Sequence, residues 1–148
     1  MNIIKSLMIG ILLCIYQQPY ANDLYKCPIS IKNETTVYCV STLQLLSSPG
    51  DYHNKLVRVT GFLNLEFEGN ALYLHKEDYD QMILENSIWI DRSGIKQPYF
   101  NKEYAIIEGR YLAGKRGHFG MFSGAITEIT RIQKSLSRTE IESMHSGK

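Results

Sequence analysis

Between Val57 and Glu68 the side chains alternate with a period of two. Val57, Val59, Gly61, Leu63, Leu65 and Phe67 fall on one side; Arg58, Thr60, Phe62, Asn64, Glu66 and Glu68 fall on the other. A helix would sort these residues differently, since its faces repeat about every 3.6 residues. The run therefore reads as one long strand with an inward apolar row. Gly61 sits within that row, where a missing side chain lets a strand coil sharply around a core. Gly69-Asn70 follows as a two-residue hairpin signal. Leu72 and Leu74 then resume the inward alternation, with Tyr73, His75 and Glu77 outward. Setting Glu68 opposite Ala71 makes Leu65 face Leu74 and Phe67 face Leu72, while Glu66 meets Tyr73 and Asn64 meets His75. A slip of one residue would put apolar positions against polar ones, so this register is the expectation.

Around that hairpin the chain supplies further strands and little helix. Val37 to Val40 is a short strand. Ser41-Thr42-Leu43-Gln44 has capping-box spacing and predicts a helix over residues 42–47, with Leu43 and Leu46 on one face, ended by Pro49-Gly50. Residues 51–55 are a turn, and residues 78–86 a short helix carrying Met82 with Leu84 or Ile83. Ile88-Trp89-Ile90 is a third barrel strand. Residues 104–113 form a fourth, with Gly109 as another coiling point, and residues 121–132 a fifth whose inward face shows no clear period. From Gln133 onward the chain is polar and reads as a frayed tail or surface helix. Five strands, a glycine-kinked first strand, a short helix before it and another between strands together predict a mainly β protein: a five-stranded closed barrel of the OB type, over residues 40–132. Closure would leave no exposed strand edge in the ring.

The front of the chain points to export. Lys5 supplies positive charge, Leu7 to Ile15 form an apolar run too short to span a bilayer, and Tyr16 to Ala21 form a polar stretch ending in a small residue. A signal peptide over residues 1–21, cleaved after Ala21, is expected, although Pro19 stands where a small residue is preferred. Cys14 as a lipidated residue is the alternative; bulky Leu12 and Leu13 before it oppose that reading. The product would be periplasmic or secreted, with no stable membrane anchor. In an oxidising compartment Cys27 and Cys39 make an even pair, expected to bridge an arm over residues 22–39 and to stabilise by about 2–3 kcal/mol. A redox or metal pair would want Cys-x-x-Cys spacing or an intervening His, and neither is present. Asn33-Glu34-Thr35 matches a glycosylation acceptor, meaningful only in a eukaryotic secretory pathway. Sixteen Lys and Arg against fifteen Asp and Glu give a formal charge of +1. That balance argues against nucleic acid, whose phosphates want a basic stripe.

The stretch Val40-Ser41-Thr42-Leu43-Gln44-Leu45-Leu46, followed by Pro49, Tyr52, Lys55 and Val57-Arg58-Val59-Thr60-Gly61-Phe62, resembles bacterial OB-fold domains of the tRNA-anticodon-binding-like type. Residues 65–79 and Gly117-His118-Phe119-Gly120-Met121-Phe122-Ser123-Gly124 resemble a narrower group of small uncharacterised bacterial proteins. The resemblance spans roughly Val40 to Ile132. It implies the OB barrel and carries no activity with it; the exported leader and cysteine arm stand outside its pattern.

Two surfaces can carry function. The outer face of the hairpin gathers Asn64, Glu66, Tyr73 and His75, with Glu77 near them. The loop at residues 114–120 sets Lys115, Arg116 and His118 among glycines, whose amides can cradle an anion. Polar cross-strand pairing on a wet face, and a charged mobile hairpin, explain the same residues without function. Phe62, Tyr73 and Trp89 make either an aromatic platform or a core under the tail or arm. No nucleophile motif, cofactor motif or His-rich metal set is present. The expectation is a periplasmic, non-enzymatic binding module for an envelope protein or a small anionic ligand. The alternative is a small metal-dependent or hydrolytic enzyme using His75, Glu66 and His118.

Overall fold

A computed structural model describes Cys27, residues 36–93, Ile95, Pro98 and residues 100–146. The expected leader, most of the cysteine arm and the Asn33-Glu34-Thr35 site lie outside the described residues. The elements in chain order are β1 (Val37–Ser41), α1 (Thr42–Ser47), α2 (Pro49–Tyr52), β2 (Leu56–Asn64), β3 (Ala71–Tyr73) and α3 (Lys76–Asp80). A 3-10 turn (Leu84–Asn86) leads into β4 (Ser87–Ile90), then come β5 (Glu103–Leu112), β6 (Ala125–Lys134) and α4 (Arg138–Ser146). No helix among the described residues is long and apolar enough to cross a membrane.

Pairing closes β2, β3, β4, β6 and β5 into a ring, the last returning to β2. β4 and β6 run parallel through Trp89↔Ala125, and the other ring pairs are antiparallel. This is the five-stranded OB-type barrel, mainly β as expected. β1 lies outside the ring, parallel to β2 from Val37↔Leu56 to Ser41↔Thr60. The sulfurs of Cys27 and Cys39 are at bonding distance, 1.99 Å, which ties Cys27 to that outside strand.

The inward row is Val57, Val59, Leu63 and Leu65 from β2 and its exit, with Leu72, Ile88, Ile90, Ile107, Tyr111 and Ile126 from the other strands. Each large apolar side chain so buried contributes about 1.5–3 kcal/mol relative to exposure. α1 and α2 add Leu45 and Tyr52 to the same core. Ser41 caps α1 as expected: its hydroxyl accepts from the Gln44 amide, and Gln44 Oε1 accepts from the Ser41 amide. The buried face of α1 differs from the expectation, however. Thr42 and Leu45 point inward and Leu43 is exposed, because Thr42 Oγ1 donates to the Thr60 carbonyl at 2.9 Å and rotates the turn accordingly. α1 ends at Ser47, just before Pro49-Gly50 as expected; Pro49 then starts α2, where its missing amide hydrogen costs nothing, so Asp51 and Tyr52 are helical and not part of a turn.

The hairpin register is corrected. Asn64 pairs with Ala71, Leu63 with Leu72 and Phe62 with Tyr73, so β2 stops four residues before the expected pairing. Beyond Asn64 the chain is held toward the start of β5: Asn101 Oδ1 accepts from the Leu65 amide at 2.8 Å and Asn101 Nδ2 donates to the Leu65 carbonyl at 3.1 Å, on the side where the Lys102 amide donates to the Leu63 carbonyl. The chain then turns through residues 66–69, closed by the Gly69 amide on the Glu66 carbonyl. Phe67 falls at that corner and is 93 % exposed instead of inward. An even-numbered slip keeps every face, so Leu63 and Leu72 still point inward.

β6 holds a second irregularity. Between Glu108↔Arg131 and Arg110↔Thr127, Gly109 alone stands opposite residues 128–130. Glu128 has φ +46°, and a Cβ at Gly109 would fall 2.6 Å from Ile126 Cγ2 and 3.2 Å from Ile129 Cα. The bulge makes Ile126, Ile129 and Ile132 the residues that reach the core, a spacing with no period of two. Residues 78–86 are likewise two short pieces, α3 and the 3-10 turn, with Met82 exposed between them.

Candidate functional site

The outer face of β2, β3 and β4 is not bare. Phe62, Ala71 and Tyr73 are buried there with Phe122, and Tyr79, Leu84 and Trp89 pack against them. The Tyr73 and Tyr79 rings meet edge-on at 5.5 Å between centroids, and Trp89 lies 5.2 Å from Phe122. The expected platform of Phe62, Tyr73 and Trp89 is therefore part of a second small core, packed with Tyr79 of α3 and with Phe122 of the β5–β6 loop (residues 113–124). Burial raises the Tyr73 phenol above its usual range.

Two loops converge over Trp89: the β2–β3 loop (residues 65–70) and the β5–β6 loop. A hollow of about 510 Å³ lies between them, with Phe67, Glu68, Trp89, Arg92 and His118 in its lining. His118 Nε2 is 3.3 Å from Glu68 Oε2, an ion-pair distance that lacks hydrogen-bond alignment, so this buried nitrogen has no hydrogen-bond partner. Arg92 Nη1 donates to Asn70 Oδ1 at 3.3 Å, reaching the first loop from the exit of β4. Gly117 lies flat on the indole: φ +63° and ψ −153° suit glycine alone, and a Cβ would fall 2.6 Å from Trp89 Cγ.

The expected loop cations hold the loop itself. Lys115 Nζ sits 2.6 Å from Asp91 Oδ2. That hydrogen bond, joined by those from Ser93, lowers the Asp91 carboxyl to about 2. Arg116 Nε donates to the Phe122 carbonyl at 3.0 Å, fastening the loop beside its buried anchor. What the loop offers outward is Phe119, 83 % exposed with φ +53°, its ring 3.9 Å from that of His118. On the β2–β3 loop Phe67 is exposed beside Glu68, whose φ is +60°. Two strained, non-glycine corners thus present two phenyl rings to solvent.

On the other side of the β2–β3 loop, Glu66 pairs with Lys102 at 2.8 Å and accepts from Tyr79 Oη at 3.4 Å. The Lys102 hydrogen bond is the main cause holding its carboxyl below the usual range. Asn64 is buried; its Nδ2 donates to the Gly69 carbonyl at 3.0 Å and its Oδ1 has no partner. His75 is exposed and stands at the start of α3, its amide donating to Asp78 Oδ2 at 2.8 Å. Asn64, Glu66 and Tyr73 are brought together; Lys115, Arg116 and His118 share the other loop; His75 belongs to neither. Among the described residues no group of three or more His, Cys, Asp or Glu could hold a metal ion.

Phe67, Glu68, Arg92 and Phe119 were not expected here. Phe119 carried a signal, an aromatic residue between Gly117-His118 and Gly120 in a loop with no core to enter. Compared with known proteins, the chain matches no family model, no curated protein and no solved structure.

Proposed function

We propose that the chain is an exported, non-enzymatic OB-fold binding module whose partner is another protein of the cell envelope. The observation that carries the binding surface is the pair Phe67 and Phe119, both exposed, each at a positive-φ corner of one of the two loops that border the hollow over Trp89. Exposed aromatic residues on a soluble domain mark contact surfaces, and such anchors dominate interface energetics. In OB barrels the loops joining the first two and the last two strands border the binding face, and here those loops carry the pair. A protein suits the surface better than a small anion, because Lys115 and Arg116 are engaged within the loop. The bonded Cys27–Cys39 pair supports an oxidising compartment and, with the leader, the periplasm. The resemblance to bacterial OB-fold domains covers the barrel that carries these two loops.

The test is capture from an envelope fraction by the purified mature protein. Phe67→Ala with Phe119→Ala should lose a bound protein that wild type retains, by at least about tenfold for two aromatic anchors. Met144→Ala, on the distant-in-sequence and exposed α4, should retain it. Equal capture by wild type and the double variant, with both folded by circular dichroism, sinks the assignment. N-terminal sequencing beginning at Asn22 supports export by cleavage after Ala21.

A further inference from the structure

We propose that the hollow between the β2–β3 loop and α3 is a binding site for an alkylammonium group. It measures about 480 Å³, and its lining includes Asn64, Glu66, Tyr73, Tyr79, Asp80 and Met82. Its two charged lining residues, Glu66 and Asp80, are both carboxylates, each met from outside the lining by a lysine, Lys102 and Lys76, with which a guest competes. The neighbouring hollows carry cations in their own lining: Arg92 and His118 with Glu66 and Glu68 over Trp89, and Lys76, Lys102 and Lys134 with Glu103 and Glu140 beside α4. Asn64 supplies the second, independent observation. Its side chain is 2 % exposed, its Nδ2 is used by Gly69, and its Oδ1 is an acceptor without a donor. A buried acceptor left unpaired is costly, and an ammonium brings three donors and no acceptor.

The remaining wall fits the same guest. The Tyr73 and Tyr79 rings, 5.5 Å apart and edge-on, line the same wall, and aromatic rings attract a cation. Met82, 80 % exposed, offers a polarizable contact for an alkyl stem. Lys102, which does not line the hollow, already shows the chemistry from outside. Its ammonium is 2.8 Å from Glu66 and 5.4 Å from the centre of the Tyr79 ring. The guest's ammonium group could belong to a free amine or to a lysine side chain of a protein. Phe67 and Phe119 play no part, so this site stands or falls separately from the loop rim.

The experiment is an amide-detected NMR titration of the full chain with three probes: butylammonium, acetyl-lysine-methylamide and the uncharged acetyl-norleucine-methylamide. Saturable shifts at the Asn64 side-chain amide and at Gly69 are expected for the two cations, with dissociation constants on the order of 1 mM. Equal affinity for both cations assigns recognition to the ammonium alone, and tighter binding of the lysine probe points to a protein source; each supports the site. Glu66→Gln, a surface change that leaves the fold intact, should weaken binding roughly fivefold, the upper range of one exposed ion pair. The inference is overturned if neither cation gives saturable shifts there, if the norleucine probe binds equally, or if Glu66→Gln binds as wild type does.

Discussion

Gly117 decides the position of the β5–β6 loop more than any charge in it. Its backbone lies in a region that only glycine occupies comfortably, and the Trp89 ring fills the space where a Cβ would go. Gly117→Ala should destabilise by about 2 kcal/mol or more, the strain of that backbone plus the contact with the indole. Trp89 is the single tryptophan, so its emission reports the same event by shifting to longer wavelength as the loop lifts away. Gly114→Ala, with open space and no positive φ, should stay within about 0.5 kcal/mol in the same urea titration. Equal effects at the two glycines would contradict the packing argument. At this scale the sequence was partly legible. The His118 loop, Glu66 and Asn64 could be singled out as polar residues in suggestive places, but Phe67 could not. It falls in the corner that follows the early end of β2 at Asn64, and nothing local announces where that strand stops.

Elements whose ends are set by neighbouring residues could be read directly, whereas those set by distant partners could not. Ser41 and Gln44 fix the start of α1 within four residues of chain, and the expected span of that helix agrees with the structure. Ser137-Arg138-Thr139-Glu140 has the same form, and it starts α4 within the stretch that reads as a frayed tail or a surface helix. There Glu140 Oε2 accepts from the Ser137 amide at 2.7 Å, and Ser137 Oγ accepts from the Glu140 amide at 3.3 Å. The hairpin register and the β6 bulge, by contrast, depend on pairing across the barrel; a period-two pattern survives an even slip and breaks at a bulge. The α4 cap carries its own prediction. The Ser137 backbone and side-chain hydrogen bonds, with Lys134, hold the Glu140 carboxyl at about 2, below its ordinary 4.5. A carboxylate with a lowered folded pKa stabilises above its unfolded value and loses that contribution as pH falls through the folded one. Fraying of α4 should therefore begin below about pH 4.5 and approach completion near pH 2, seen as faster hydrogen exchange at the Ile141 amide. Glu140→Gln should remove the pH dependence while keeping most of the cap. An Ile141 amide whose protection is unchanged across that window would refute the cap's role.

The molecule as a whole consists of a closed ring with one strand outside it, and the disulfide belongs to the outside strand. Every ring pairing, β2 with β3, β3 with β4, β4 with β6, β6 with β5 and β5 with β2, forms without either cysteine. Cys39 is on β1, and Cys27 reaches it both through sulfur and through its amide, which donates to the Val37 carbonyl at 3.0 Å. Closing so short a loop in the unfolded chain is worth about 2–3 kcal/mol. Cys27→Ser with Cys39→Ser should therefore lower global stability by about that amount in urea titration. The native barrel should nevertheless persist, because the fully buried residues of its core, Leu63, Leu72, Ile88, Ile107 and Ile126, come from the ring strands, and Tyr38 of the bridged segment is only partly buried against them. Hydrogen exchange separates the two effects. The amides of β1 that pair with residues 56–60 should lose protection first, through local opening that leaves β4, β5 and β6 closed. If all strands lose protection together and by the same amount, β1 is an integral stave and the ring does not stand alone. If β1 keeps its protection, strand pairing and Val37 and Val40, both buried, hold it without the bridge. The expected result would place the barrel's stability in its closed sheet and the dependence on an oxidising compartment in β1. The ring and the two loops it carries would then stand without the disulfide.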